Sequence, residues 1–159
     1  MFHQILFPID FNDTSLSILP FVLNVAEKFH AKIHLLYVVE NLNDSMGWAT
    51  PYPSLSTFAD GIEAAARKKM KALCDDHFDV LQHVARHVIL GDPAEDVIRF
   101  AKENGMDLII MATHGRKGLD RVIFGSVAEN VARQSPIPVM LINPHRLDRA
   151  SFDLAGEKP

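Results

Sequence analysis

Five short apolar runs recur along the chain without alternating with polar residues, and they constrain the fold more than any other feature. Their sequences are ILFPID (5–10), KIHLLYVVE (32–40), HVARHVIL (83–90), DLIIMAT (107–113) and PVMLI (138–142). Runs of this kind are typical of β-strands that are covered on both faces, as they are in a parallel sheet. The sequence therefore predicts five strands buried between layers of other structure.

Helical patterns separate these runs, at 14–30, 58–78, 92–105 and 126–135. Within the first pattern, Pro20 predicts a kink or a late start, because proline strains a helix interior. The third pattern opens with Asp92 and Pro93, which are typical of a helix start, and closes on Gly105. Strands and helices that alternate in this way predict an α/β fold, in which a five-stranded parallel open sheet carries helices on both faces.

Length and charge limit the functional classes. The chain of 159 residues is about one domain long. Its net charge of −4 argues against a general nucleic-acid binder, so any anion site must be local. The single cysteine, Cys74, excludes an internal disulfide and suits a reducing compartment. The absence of a signal-peptide pattern and of any long apolar stretch predicts a soluble, cytoplasmic protein without a membrane span.

Two segments lie outside the strand and helix patterns. Residues 41–56 are predicted to form a polar, proline-bearing loop that contains Trp48 and Tyr52. The sequence allows three roles for this loop: a lid, a dimer contact or a plain connector. We expect the folded domain to cover residues 1–145 and residues 146–159 to form a polar C-terminal tail.

The carboxyl ends of the first and fourth strands carry the candidate site. In an open parallel sheet, ligands bind beyond these ends, where the strand order reverses. The first strand ends at Asp10, and the fourth runs into residues 112–115, with the sequence ATHG. If the two strands are neighbours, Asp10 could accept hydrogen bonds from a ribose or an amino group across one crevice.

The loop that follows the fourth strand combines glycines with cations. Gly115 permits close approach of a ligand, and Gly125 and Ser126 stand at a helix start, where free amides and the helix dipole favour phosphate. Arg116, together with further cations at 117 and 121, could neutralise phosphate charge. The other interpretation is a simple turn followed by a capping box between Ser126 and Glu129. Neither G-x-x-x-x-G-K-[ST] nor G-x-G-x-x-G occurs, so this is neither a Walker-type NTPase nor a dinucleotide dehydrogenase.

The order of three segments resembles the universal stress protein family: ILFPIDF at the start, LLYVVE in the interior, and the long run from GDPAEDVIRF to PVMLI. The ATP-binding subclass of that family carries G-x2-G-x9-G-[ST]. Gly115, nine further residues, and then Gly125 and Ser126 match its second and third parts, whereas Ala112 replaces the first glycine. The resemblance implies a Rossmann-like fold similar to that of the adenine nucleotide alpha hydrolases.

The resemblance also implies a ligand, a set of contacts and an assembly. ATP would be the ligand, and magnesium could arrive with its phosphates. The adenosine, ribose and phosphate contacts that it implies are Pro8, Asp10, Val38, Met111, Ala112, His114, Gly115, Arg116, Gly125, Ser126 and Val127. It further implies a homodimer joined through the last strand, 138–142, and a regulator that signals to an unknown protein partner with little or no hydrolysis.

Rival functions follow from particular residues. An ATP pyrophosphatase would carry S-G-G-x-D-S after the first strand, where this chain has PIDFNDTS. An adaptor that has lost nucleotide binding is favoured only by Ala112.

His83 and His87 would lie ~13 Å apart on a strand, too far for one metal ion, so we expect no metal site there. We expect no catalytic residue: His114 reads as a structural histidine, and Cys74 as a partly buried small residue.

Overall fold

A computed structural model of the chain describes residues 1–40, 53–77, 84–113 and 125–144. Within these ranges the helices and strands are, in chain order, β1 (Gln4–Pro8), α1 (Asp13–Leu16), α2 (Leu19–Phe29), β2 (Lys32–Glu40), α3 (Pro53–His77), β3 (Val84–Gly91), α4 (Pro93–Glu103), β4 (Leu108–Ala112), α5 (Ser126–Gln134) and β5 (Val139–Ile142). Most of the predicted loop at 41–56, with Trp48 and Tyr52, and the predicted tail at 146–159 lie outside the described residues.

The five strands form one sheet in the order β3-β2-β1-β4-β5, and every neighbouring pair is parallel. The predicted five-stranded parallel sheet is therefore confirmed. β1 and β4 are neighbours although two strands separate them along the chain, so the strand order reverses between them. At the amino edge of this junction, the carboxylate of Asp107 accepts hydrogen bonds from the backbone N–H groups of His3 (2.8 Å) and Gln4 (3.2 Å).

Two apolar layers cover the sheet. On one face, buried side chains of α2 and α3, such as Val22 and Met70, pack against Ile5 and Phe7 of β1. On the other face, side chains of α4 and α5 pack against the opposite side of the strands, where Leu6 is fully buried. Burial of each such side chain contributes roughly 1.5–3 kcal/mol, which explains why the strands carry apolar residues on both faces.

Helix boundaries confirm some sequence expectations and correct others. The pattern at 14–30 is divided into α1 and α2, and Pro20 occupies the first turn of α2, so the late start is confirmed. α3 was predicted from residue 58 but begins at Pro53, so residues 53–56 of the predicted loop are helical. Residues 54–57 read SLST, and these mostly polar residues carry no apolar periodicity that could have revealed the first turn.

The start of α4 shows the expected capping. The side chain of Asp92 accepts hydrogen bonds from the backbone N–H groups of Ala94 (2.8 Å) and Glu95 (2.9 Å), and Pro93 occupies the first helical position. Gly105, which follows the helix, has a φ of +64°, a conformation that favours glycine. In the described part of the chain, none of the helices combines the length and apolarity that crossing a bilayer requires.

Candidate functional site

The carboxyl edge of the sheet brings together residues from three strands. Ile5 and Leu6 of β1 pair with Leu108 and Ile109 of β4, and extending this register places Asp10 level with Thr113. On the other side, Pro8 pairs with residue 36 of β2, so the same extension places Val38 level with Asp10. The first and fourth strands are neighbours, which is the condition on which the predicted site depends.

The turn after β1 holds the Asp10 carboxylate in a defined position. The Asn12 side-chain amide donates to Oδ2 of Asp10 over 2.6 Å, and the Asn12 backbone N–H donates to Oδ1 over 3.3 Å. Between these residues, Phe11 has a φ of +56°, which is uncommon for a bulky side chain. Its ring contacts Tyr37 of β2 with a centroid separation of 4.5 Å. The turn is thus anchored on the neighbouring strand.

The start of α5 lies against the end of β4. The backbone N–H of Gly125 donates to the carbonyl oxygen of Thr113 over 2.6 Å, which holds the start of α5 at the end of β4. Gly125 is the N-cap residue and Ser126 is the first helical residue, without a side-chain hydrogen bond at the cap. The interpretation of Ser126 and Glu129 as a capping box is therefore wrong. The Glu129 backbone N–H instead donates to the carbonyl oxygen of Gly125 over 2.9 Å.

This helix start can bind an anion. Its N-cap residue, Gly125, has no side chain to cap it, and the first-turn amides and the positive end of the helix dipole favour negative charge. Gly125 has φ −68° and ψ 149°, an extended conformation that any residue adopts. The backbone therefore does not require glycine here, whereas close approach of a ligand would.

Ala112, which replaces the first glycine of the family motif, is the last residue of β4 and pairs with Ile142. Phe11 and His30 are the non-glycine residues with positive φ in the described ranges, so Ala112 adopts a conformation ordinary for alanine. The replacement thus imposes no backbone strain on the strand.

Three residues implied by the resemblance belong to the core on the α4 and α5 side of the sheet. Val38 and Met111 are buried there, and Val127 is half-buried against the same core. Pro8 is half-buried at the end of β1, whereas Ser126 is exposed. His114, Gly115 and Arg116, with the cations at 117 and 121, lie outside the described residues.

Two histidines stack near the other end of the sheet, and the sequence interpretation missed His34, the buried one of the two. His34 of β2 and His87 of β3 stack with an interplanar angle of 6°, and Nδ1 of His34 lies 3.1 Å from Nε2 of His87. Nε2 of His34 lies 2.7 Å from the side-chain oxygen of Gln4. Burial, with the charges of His87 and Lys32, lowers the pKa of His34 to about 4.

The remaining candidates from the sequence are Cys74 and the two histidines at 83 and 87. His87 lies on a strand as predicted and contacts His34, while His83 is outside the described residues. Cys74 is almost fully buried in the core, and burial raises the pKa of its thiol, which makes it a poor nucleophile. Where the structure describes the chain, no cluster of three or more potential metal ligands occurs.

Comparison with known proteins identifies the family. The family model described as the universal stress protein family matches residues 1–143. Universal stress protein MJ0531 of Methanocaldococcus jannaschii is 31% identical over 147 residues, which cover 89% of this chain and 82% of that protein. The chain belongs to the universal stress protein family.

Solved structures confirm the fold of this universal stress protein. MJ0577 has a solved structure with a TM-score of 0.71 and 27% identity, covering 90% of this chain and 96% of that one. UspA from Lactobacillus plantarum gives a TM-score of 0.76 and 25% identity, covering 89% and 98%. The α/β architecture predicted from the apolar runs is thus shared with these relatives.

Proposed function

We propose that this universal stress protein binds an adenine nucleotide, with ATP as the principal ligand, in the crevice between β1 and β4. The observation that carries the proposal is the start of α5. Gly125 has a conformation open to any residue, yet as the N-cap residue it brings neither a Cβ nor a capping side chain. A phosphate chain is the ligand that such a helix start favours.

The described residues would supply the complementary contacts. Backbone amides of the first turn of α5 and the hydroxyl of Ser126 would hold phosphate oxygens. Asp10, level with Thr113 across the crevice, would accept hydrogen bonds from the ribose or an amino group. The family motif adds His114, Gly115 and Arg116 to the phosphate side, and magnesium would be held mainly by the phosphates.

Two other members of the family support an adenine nucleotide. One universal stress protein was solved in complex with cAMP, and one from Archaeoglobus fulgidus in complex with dAMP. They are 20% and 18% identical to this chain, so their similarity establishes the fold alone. For this protein the proposal rests on its own Asp10, Gly125 and Ser126.

A regulatory role in the cytoplasm is the function that fits such a site. Asp10 accepts hydrogen bonds from Asn12, and no base positioned to activate water is described beside it. Bound and empty forms would present different surfaces to a protein partner. We further propose a homodimer joined through β5, since among the described residues β5 is an edge strand with half-buried side chains. An uncovered apolar edge would otherwise favour aggregation.

The proposal is tested by calorimetric titration of the nucleotide-stripped protein with Mg-ATP. GTP, which carries a different base, is the control ligand. We expect micromolar binding that is selective for ATP. Gly125→Val should weaken it by at least about tenfold without unfolding the domain, because the backbone at 125 suits valine and the new Cβ would block the phosphates. Gly105→Asn, at the amino edge of the sheet, is the matched control and should bind normally. Unfolding of Gly125→Val would instead assign the glycine a structural role.

The second candidate function is a dimeric stress-response adaptor that has lost nucleotide binding. Ala112 is the observation that favours it, although the unstrained conformation of this residue weakens the argument. A folded wild-type dimer that binds no nucleotide, together with an Ala112→Gly variant that does bind ATP, would establish this function in place of the first.

A further inference from the structure

Asn12 makes two different side-chain hydrogen bonds that link the candidate ligand site to the first helix. Its side-chain nitrogen donates to Asp10 over 2.6 Å, and its side-chain oxygen accepts from the backbone N–H of Ser15 over 2.6 Å. A carboxylate only accepts and a backbone N–H only donates, so these two partners fix the orientation of the amide. Asn12 therefore caps α1 and fixes Asp10 with the same group.

The backbone of this turn adopts a conformation that is unfavourable for the residue at its centre. Phe11, between Asp10 and Asn12, has a left-handed φ of +56°, which costs about 1 kcal/mol or more for a residue of this kind. Contact between the Phe11 ring and Tyr37, together with the two bonds from Asn12 to Asp10, maintains the conformation. Strained turns of this kind persist where the surrounding structure over-determines them, and they cluster at ligand sites.

We propose that Asn12 is a positioning residue for the nucleotide site: it holds the Asp10 carboxylate in the orientation that accepts the ribose hydroxyls. The proposal rests on the nucleotide-binding function above. A carboxylate offers about four acceptor positions, and the two bonds from Asn12 occupy two of them. Only a side chain with a donor and an acceptor can cap α1 and fix Asp10 simultaneously, which explains an amide at this position.

The aspartate variant separates the two roles. In Asn12→Asp the new carboxylate still accepts from the Ser15 backbone N–H, since aspartate caps helices as well as asparagine does. Its side chain cannot donate to Asp10, and its charge repels that group, although the backbone N–H bond to Asp10 remains. Asn12→Ala loses both the cap and the side-chain donation without adding a charge. If Asn12 acted only as a cap, Asn12→Ala would lose the same affinity for ATP as for a nucleotide without ribose hydroxyls.

The experiment compares ATP with 2′,3′-dideoxy-ATP in calorimetric titrations of the wild type and both variants. We expect Asn12→Asp to raise the Kd for ATP about tenfold more than the Kd for the dideoxy nucleotide. The reason is that only ATP has the ribose hydroxyls that would donate to Asp10. Any repulsion between the new charge and the phosphates affects both ligands equally and cancels in this ratio. Asn12→Ala should likewise lose more affinity for ATP than for the dideoxy nucleotide.

Three results would overturn the proposal, and each would have a different consequence for the role of Asn12 and for the proposed function. Equal loss of affinity for both nucleotides would show that Asn12 does not act through the ribose. Wild-type affinity in Asn12→Asp, with a loss confined to Asn12→Ala, would reduce Asn12 to a helix cap. Both of these outcomes leave the proposed function intact, whereas a wild-type protein that binds neither nucleotide would overturn the function and the role of Asn12 together.

Discussion

Acidification should destabilise this protein through the stacked pair of His34, which is buried, and His87, which is half-buried. Nε2–H of His34 can donate to the Gln4 oxygen while its Nδ1 accepts from Nε2–H of His87, so the observed contacts suit two neutral rings. Protonation of His34 would place two N–H donors against each other. Its pKa is lowered from 6.5 to about 4, first by burial and then by the charges of His87 and Lys32.

The sign and size of the effect follow from this pKa. Because the folded state disfavours the charged ring, His34 stabilises the fold fully above pH 6.5, and this contribution is lost as the pH falls from 6.5 towards 4. Between about pH 7.5 and pH 5, a single group with these two pKa values loses about 2 kcal/mol of unfolding free energy. Burial also lowers the pKa of His87, which adds to the loss in the same direction.

Urea unfolding at both pH values measures the effect, and two variants isolate it. His34→Gln retains an oxygen that can accept from His87 and an amide that can donate to Gln4, but it does not titrate. Its loss on acidification should be smaller than the wild-type loss by about 2 kcal/mol. His3→Gln, which removes an exposed histidine, should keep the wild-type loss. Equal losses in the wild type and His34→Gln would refute the reasoning.

Two further substitutions test packing and capping around α4. Asp92→Ala should lower the unfolding free energy by about 1 kcal/mol, since it removes the acceptor of two first-turn N–H groups, and Asp92→Ser should recover most of it in thermal unfolding. Gly91→Ala should destabilise more strongly, because its Cβ would overlap the Asp96 carboxylate. Adding Asp96→Ala should recover part of that loss in a double-mutant cycle, and strictly additive losses would contradict the overlap.

Much of the architecture could be predicted because it is encoded locally. The strand at 32–40 is found at the predicted residues, and Pro20 and Asp92 mark the helix starts as expected, since each pattern acts within a few residues. α3 was predicted five residues short because its first turn lacks apolar periodicity. The family motif located the start of α5, but local pattern could not distinguish a capping box from an uncapped helix start.

The sequence by itself determined that this protein is an α/β domain with a parallel sheet buried on both faces, because apolar runs and helical periodicity depend only on neighbouring residues. The tertiary structure decided which strands are adjacent. It placed Asp10 level with Thr113, put His34 against His87, and made Gly125 the N-cap residue. These contacts join residues that are distant along the chain, and their geometry depends on strand order and register, which local patterns do not encode.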